Sequence, residues 1–232
     1  MKKKKLDIIY EDKDIIVINK PSGLLTISTE KEKNKTLFKE VSEYVKKSNP
    51  KIKIFIIHRL DKDTSGIVIF AKNQNIKYMY QNAWDKIVLK RGYIAVVNGN
   101  LRNNEGRIKS YLKETKTLLV YSSNDKKDGK LAITDYKVIK KTNKYSMIDI
   151  NIKTGRKNQI RVHMKDLGNP ILGDKKYGDK KADDFYIQRI QCRNILTDAS
   201  SFHRTAAYSK FINQLICSQC MFFVCFFPKN VH

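Results

Sequence analysis

Short apolar runs, rich in β-branched residues, recur through the first 152 residues of this chain of 232. Each run is bounded by polar residues, glycine or proline, which favour turns. Such runs are typical of strands in a sheet that is buried on at least one face. We therefore predict strands at residues 8–10, 15–19, 52–57, 67–71 and 93–97, and two more between residues 131 and 152.

Three segments between or after these strands are predicted to be helical, and two of them, residues 36–47 and 73–86, have the apolar spacing of amphipathic helices. Residues 36–47 place their apolar side chains on one face, and Thr36 can cap the first turn. Residues 73–86 and 158–167 are also predicted to be helical, with Gly168 placed to end the second of these. The pattern predicts the α+β class, with a mainly antiparallel sheet flanked by helices.

The formal net charge of +24 favours a polyanionic partner. RNA or DNA comes first and an anionic membrane second. Residues 1–178 hold 40 of the 47 basic residues and 19 of the 23 acidic ones, so the basic surface belongs mainly to this part. Lysine greatly outnumbers arginine, a bias that an AT-rich genome also produces without any selection for binding. Genome composition therefore stays as the alternative reading of the charge.

Several features predict a cytoplasmic protein. The sequence has no apolar run of about 18 residues that could span a membrane. The lysine run at residues 2–5 is not followed by the apolar core of a signal peptide. Cys217 and Cys220 form a single Cys-x-x-Cys pair, so thiols are favoured over a zinc or redox site.

Polar residues gather after the predicted strand at 52–57. Asp61 has His58 and Arg59 beside it, and Asp63 two residues later. Rigid elements commonly hold active-site side chains at such strand ends, although a charged turn has the same composition. Asp61 is therefore a candidate catalytic carboxylate, with an ordinary turn as the alternative.

Two further sites combine cations with an aromatic or helical setting. Tyr93 follows a basic segment at residues 90–92, an arrangement that suits stacking on a base while cations meet phosphate. Lys157 and Arg161 are one helical turn apart, and Arg156 precedes them. A core aromatic and ordinary solvated charge are the respective alternatives.

Four motifs occur in one order along residues 7–178. They are KPSGL at residues 20–24, HRLDKDTSGIVIFAK at 58–72, YIAVVNG at 93–99, and TGRKNQIRVH at 154–163 followed by PILGDKKYG at 170–178. Together they resemble the motifs of the RluA-type family of pseudouridine synthases. The resemblance implies the pseudouridine synthase catalytic fold and an isomerase that converts uridine to pseudouridine in structured RNA, either tRNA or ribosomal RNA.

The resemblance also implies roles for single residues. Asp61 would be the catalytic carboxylate that acts on the ribose of a flipped uridine, either by forming a covalent adduct or by removing a ribose proton. Tyr93 would stack on the uracil and assist proton removal, and Arg161 would pair with Asp61. No redox or hydrolytic step is involved, so no metal and no organic cofactor is expected, and a magnesium site at Asp61 and Asp63 is disfavoured.

Six basic residues are predicted to contact RNA: Lys20, His58, Arg59, Arg91, Arg156 and Lys157. Arg59 would hold the opened RNA where the base has left the stack. Few residues precede the first predicted strand, so RNA contact is expected from the catalytic domain itself, acting as a monomer.

The last quarter of the chain departs from the family pattern. Residues 1–178 are predicted to be the motif-bearing part of the catalytic domain. Residues 179–232 would be the C-terminal part of the same domain, divergent or frame-shifted at its origin. Asn158 stands where the family commonly has histidine, and a small effect is expected because asparagine can still donate a hydrogen bond.

Two other functions fit parts of the sequence. One is a catalytically impaired RNA-binding or RNA-chaperone protein on the same fold, disabled by its tail. The other is a glycosidase with Asp61 and Asp63 as its carboxylate pair. Carboxylates two residues apart are poorly placed to flank a glycosidic bond, which needs a separation of about 5 Å or more.

Overall fold

Mostly antiparallel strands form the framework of the chain. The computed structural model describes residues 6–178 and 190–196, with the backbone alone for Leu89 and for residues 190–196. The strands are β1 (Ile8–Glu11), β2 (Ile15–Lys20), β3 (Phe55–Ile56), β4 (Ser65–Ala71), β5 (Val88–Asn98), β6 (Glu105–Glu114), β7 (Val120–Ser123), β8 (Lys130–Lys141), β9 (Tyr145–Ile152) and β10 (Ile190–Leu196).

These strands form one ten-stranded sheet. Its order from one edge is β1, β2, β4, β10, β5, β9, β8, β6 and β7, with β3 paired to β4. Every described pair is antiparallel except β4 with β10. The predicted class, α+β with a mainly antiparallel sheet, is confirmed.

Within the described residues, four helices flank the sheet. They are α1 (Leu37–Ser48), α2 (Gln74–Asn82), α3 (Trp84–Ile87) and α4 (Gln159–Asp166). The side chain of Thr36 accepts a hydrogen bond from the N–H of Lys39 at 3.2 Å, which is the predicted cap of α1. Gly168, at a φ of 78°, follows the end of α4 as predicted. No helix in the described part of the chain is long and apolar enough to cross a membrane.

The first half of the sheet is buried on both faces. In β2 and β4, Val17 and Ile69 pack into a cluster with residues of α2 and α3. Their neighbours Ile18 and Phe70 face the other way, into a cluster with α1. Because both faces are covered, these strands read as continuous apolar runs rather than as an alternation.

The second half is covered on one face. In β9, Ile148 and Ile150 are buried in a cluster that includes Ile160 and Met164 of α4. The alternate residues of β9, among them Asp149, point to the open face, where charged side chains pair across strands, as Lys90 does with Asp149 at 2.9 Å. One-sided burial explains the strict alternation along β9.

Residues of the C-terminal part join the two halves. Cys192 on β10 stands opposite Gly66 of β4 on one side and Tyr93 of β5 on the other. The hydrogen-bonded ladder between these halves therefore passes through β10. The rest of the part that begins at residue 179, with Cys217, Cys220 and Cys225, lies outside the described residues.

Several predicted boundaries were wrong. The predicted strand at 52–57 is only the two residues of β3, and the predicted helix at 73–86 is divided at Ala83 into α2 and α3. The strand predicted at 93–97 begins earlier, at Val88, and β6 and β7 were not predicted. Only Ser110 and Leu112 of β6 are buried, so that strand lacks the apolar pattern by which sequence reasoning recognises a strand.

A histidine links α4 to the sheet beneath it. The ring of His163 is fully buried, with Nε2 3.0 Å from Ser110 Oγ and Nδ1 2.8 Å from Thr134 Oγ1. Burial lowers the pKa of His163 to about 4, and the charge of Asp166 opposes this only in part. The ring is therefore neutral in the folded protein near pH 7.

The depressed pKa predicts an acid-sensitive fold. An unfolded histidine takes up its proton below about pH 6.5, whereas folded His163 does so only near pH 4, so stability is lost as pH falls through this window. Between pH 7 and pH 5 this one residue should reduce the free energy of unfolding by about 2 kcal/mol. Urea titrations of wild type and His163→Gln test this. The variant should have the flatter pH dependence, and equal slopes below pH 6.5 would contradict the account.

Candidate active site

Asp61 lies on a loop, residues 57–64, that has no regular secondary structure. The segment at residues 20–26 holds this loop. Thr26 Oγ1 donates a hydrogen bond to the carbonyl of Leu60 at 2.8 Å and accepts one from the N–H of the same residue at 3.2 Å. The backbone immediately before Asp61 is thereby fixed.

The backbone immediately after Asp61 is fixed by a buried lysine. The N–H of Gly23, a residue in the left-handed region at a φ of 85°, donates to the carbonyl of Lys62 at 3.0 Å. The ammonium group of Lys20 donates to three carbonyls at 2.7–2.9 Å, those of Pro21, Leu24 and Lys62. Asp61 is thus held through both of its neighbours while its own side chain remains 37% exposed.

The predicted RNA contact by Lys20 has to be corrected. Its side chain is 0% exposed, so it cannot reach a phosphate group outside the fold. Burial lowers the pKa of Lys20 to about 8, while the nearby charges of Asp63 and Asp61 raise it. Lys20 therefore ties two segments together from inside the fold.

His58 is also engaged within the fold. Its Nε2 accepts a hydrogen bond from the N–H of Ile69 at 3.2 Å, and its ring lies 4.9 Å from the ring of Trp84. Burial lowers the pKa of His58 to about 4, so the ring is neutral near pH 7. The described contacts of His58 thus pack the loop against β4, and an RNA contact by this partly exposed side chain stays a prediction.

Arg161 approaches Asp61 from α4. Its Nη1 lies 3.8 Å from Asp61 Oδ2, so the two predicted partners are brought together as an ion pair. The tighter contacts of Arg161 are to Asp174, where Nε and Nη2 each donate at 2.7 Å to a separate carboxylate oxygen. The arginine thus has two carboxylate neighbours, and the sequence had predicted only one.

The pair of Arg161 and Asp174 is charged despite its burial. Burial would raise the pKa of Asp174, but hydrogen bonds from Arg161 and from the backbone N–H groups of Lys176 and Tyr177 hold it below its usual value. Burial would likewise lower the pKa of Arg161, but Asp174, followed by Asp61, raises it. A fixed positive charge therefore stands beside the candidate catalytic carboxylate.

Asn158 and Tyr177 complete the surroundings of this arginine. Asn158 accepts from Arg161 Nη1 at 3.2 Å and donates from Nδ2 to the hydroxyl of Tyr177 at 3.1 Å. The ring of Tyr177 lies 4.9 Å from the guanidinium carbon. Asn158 has a φ of 54°, a left-handed conformation that asparagine tolerates well. The asparagine that departs from the family pattern thus fits both its backbone and its two partners.

Tyr93 lies where two apolar clusters meet. On β5 it stands opposite Ile150 and Cys192 of the neighbouring strands. Its partly buried ring packs against the cluster that contains Leu60 and also against the one that contains Ile160. These two residues directly precede Asp61 and Arg161 in the chain, so Tyr93 belongs to the same region of the fold.

The other residues predicted to contact RNA differ in the hydrogen bonds and ion pairs that they form within the protein. Arg59 is exposed beside Asp61. Arg91 donates to the carbonyl of Lys153 and pairs with Asp85 at 3.1 Å. Arg156 Nε donates to the carbonyl of Leu131 at 2.9 Å, and Lys157 pairs with Glu114.

Sequence reasoning missed Asp174 as a member of this site. The residue lies within the motif at 170–178, yet its spacing from Arg161 follows no helical or strand period, so only the folded chain shows the pair. Within the described residues, no group of three or more histidine, cysteine or acidic side chains is arranged to hold a metal ion.

The internal role of Lys20 predicts a stability effect rather than a binding effect. Lys20→Met removes a donor from three carbonyls, of which only that of Lys62 keeps a second bond, from the N–H of Gly23, so the free energy of unfolding should fall by about 2–4 kcal/mol. The affinity of the folded fraction for RNA should change by less than about twofold, because no exposed charge is lost. Urea denaturation and an RNA titration measure the two quantities.

Lys62→Met is the matched control, because it removes an exposed cation from the same loop. It should leave stability nearly unchanged. A Lys20→Met protein of wild-type stability that binds RNA tenfold more weakly would restore Lys20 as an RNA contact.

Comparison with known proteins places this chain in a family. The family profile described as RNA pseudouridylate synthase matches residues 14–166. The ribosomal large subunit pseudouridine synthase D of Borreliella burgdorferi is 40% identical over 177 residues, which are 74% of this chain and 54% of that protein. The tRNA pseudouridine synthase C of Haemophilus ducreyi is 32% identical over 211 residues, which are 86% of this chain and 85% of that protein.

The chain spans 54–62% of the length of the first three curated relatives it matches. Two human structures share the fold. RNA pseudouridylate synthase domain containing 4 matches with a TM-score of 0.69 at 19% identity, over 90% of this chain and 93% of the other. RNA pseudouridylate synthase domain containing 1 matches with a TM-score of 0.66 at 20% identity, over 91% and 95%. The chain belongs to the RNA pseudouridylate synthase family.

Proposed function

We propose that this protein isomerises specific uridines to pseudouridine in tRNA or ribosomal RNA, with Asp61 as the catalytic carboxylate. The observation that carries the proposal is the setting of Asp61. Its carboxylate is partly exposed, on a loop fixed on both sides, 3.8 Å from the guanidinium of Arg161. Reactive groups held still in this way lose little freedom on reaching the transition state.

The proposed reaction breaks the bond between N1 of the uracil and C1′ of the ribose, and joins C5 to C1′ instead. Asp61 acts on the ribose, either as a nucleophile or as a base. The detached uracil rotates, and the proton on C5 leaves after the new bond forms. Tyr93 stacks on the uracil during this rotation and assists removal of that proton.

Arg161 orients Asp61 in this scheme. Its guanidinium stands at ion-pair distance from the carboxylate and so favours one position of that side chain. The surroundings of Arg161 support this role, because its side chain is only 13% exposed and solvent screens it weakly.

The target uridine has to leave its stack before it can reach Asp61. Base flipping costs a few kcal/mol, and phosphate contacts by basic side chains offset that cost. We propose that Arg59, exposed beside Asp61, takes the space that the base leaves, and that Arg91, Arg156 and Lys157 contact phosphates. We leave Lys20 out of this set because its side chain is buried, and His58 because its ring is neutral near pH 7 and contacts β4 and Trp84.

The relatives' names support the substrate class, since one acts on ribosomal large subunit RNA and another on tRNA. We propose that residues 1–178 and 179–232 form one catalytic domain, that the protein acts as a monomer in the cytoplasm, and that it needs no metal or organic cofactor. The alternative is a catalytically impaired protein that binds or remodels RNA on the same fold.

The enzyme and the impaired binder are separated by Asp61→Asn. The substitution keeps the shape of the side chain and removes its charge, so product should fall by about a thousandfold or more while RNA binding is kept. Isomerisation does not change the mass of the RNA. Tritium release from RNA labelled at C5 of uridine therefore measures it.

Asp63→Asn is the matched control, because Asp63 is an exposed carboxylate on the same loop. It should retain activity within about threefold. RNA binding without tritium release by wild type on tRNA and ribosomal RNA would favour the impaired binder. Release by Asp61→Asn at the wild-type rate would reject Asp61 as the catalyst.

The RNA contact of Arg59 predicts a salt-dependent loss of affinity. Arg59→Ala should weaken RNA binding about tenfold at low salt and reduce the slope of log affinity against log salt by about 0.7–0.9. Arg107→Ala is the control, since Arg107 is paired with Asp135 on the open face of the sheet. An unchanged slope for Arg59→Ala, or an equal loss in Arg107→Ala, would contradict the proposed contact.

A further inference from the structure

The carboxylate of Asp174 is committed entirely to the fold. Its side chain is 0% exposed, and each oxygen accepts one bond from Arg161 at 2.7 Å. One oxygen also accepts from the backbone N–H of Lys176 at 3.0 Å and of Tyr177 at 3.1 Å. A group held by so many donors cannot itself react with a substrate, but it can fix what it binds.

These bonds fix the orientation of the Arg161 guanidinium. A guanidinium has one edge formed by Nε and Nη2, and Asp174 occupies that edge completely. The remaining Nη1 is the atom directed at Asp61, and Asn158 accepts from it at 3.2 Å. The ring of Tyr177 lies near the guanidinium, at 4.9 Å from its central carbon. Rotation of the guanidinium would break both bonds to Asp174.

The carboxylates of Asp174 and Asp61 therefore differ in how closely they contact Arg161. Asp174 has the bidentate pairing, which uses lone pairs of both oxygens, and Asp61 has a single ion-pair contact at 3.8 Å. An Asp61 held in a bidentate pair would have its oxygens occupied by N–H donors, whereas a nucleophile or base needs a free oxygen.

We infer that Asp174 is a positioning residue for the reaction, which holds Arg161 where it orients Asp61 without binding it tightly. The inference rests on the proposed function of Asp61. In this arrangement the buried carboxylate of Asp174 forms the strong pair with Arg161. The partly exposed carboxylate of Asp61 therefore keeps an oxygen that can act on the ribose.

A purely structural ion pair makes different predictions from a positioning residue. Loss of a structural pair lowers the fraction of folded protein and so reduces every activity alike. Loss of a positioning residue lowers the rate of the chemical step in protein that is still folded and still binds RNA. It also changes the pH dependence of that step, because the charge of Arg161 is no longer shared with Asp174.

Asp174→Asn tests this, because asparagine has nearly the same shape and lacks the charge. We expect kcat to fall about 10–100-fold, with KM and the Kd for RNA within about twofold of wild type. The acidic limb of the pH–rate profile should move to lower pH. The control Asp166→Asn, which removes an exposed carboxylate from α4, the helix that carries Arg161, should leave both kcat and the profile unchanged.

Unchanged kcat in folded Asp174→Asn protein would overturn the inference, as would a loss that only follows the folded fraction. A double-mutant cycle provides a second test of the inference. In Arg161→Ala protein, Asp174→Asn should have less than about a threefold further effect, because its partner is already gone. A full additional loss there would show that Asp174 acts by another route.

A measurement on active-site variants keeps the inference testable even if Asp174→Asn does not fold. In nitrogen-15 NMR spectra, the guanidinium of Arg161 should show separate, slowly exchanging Nη signals, in wild type and equally in Asp61→Asn. Averaged Nη signals would overturn the inference. This outcome is independent of product formation, so failure of the proposed function, seen as no tritium release by wild type, is distinguished from failure of this inference.

Discussion

The ammonium group of Lys20 holds together the two segments that create the site. It donates to three carbonyls, and one of these belongs to Lys62, which directly follows Asp61. A buried cation is stable only when its hydrogen-bonding capacity is used, so the loop around Asp61 cannot move away without leaving that charge unsatisfied. The negative charges of Asp63 and Asp61 favour the protonated amine in turn. An irregular loop thereby gains the rigidity that the proposed catalysis needs.

Three parts of the fold contribute to the site, and the sheet fixes their separation. Asp61 precedes β4, Tyr93 lies on β5, and Arg161 projects from α4. Between β4 and β5 runs β10, so these two strands are about 10 Å apart. A strand from the last quarter of the chain thus determines the spacing of residues that lie in its first half. This dependence links a part of the sequence outside the family match at residues 14–166 to the geometry of the proposed chemistry.

Local patterns predicted the elements that are buried by their own apolar residues, such as β2 and β4, and the Thr36 cap of α1. The family resemblance predicted the pairing of Asp61 with Arg161, although 100 residues of chain separate them. No apolar periodicity could have predicted that contact. The burial of Lys20 and the pairing of Asp174 were not predictable, because a charged residue is buried only when partners from distant segments satisfy it. Likewise, β6 is held by neighbouring strands rather than by an apolar pattern of its own.

The central claim is that Asp61 makes this family member an active enzyme on cellular RNA. Its most direct test is to map pseudouridine across tRNA and ribosomal RNA in cells that carry the gene, lack it, or carry wild type or Asp61→Asn in its place. The account predicts that a defined set of uridines loses the modification on deletion, regains it with wild type, and does not regain it with Asp61→Asn. An identical map with and without the gene, or full recovery with Asp61→Asn, would contradict the account.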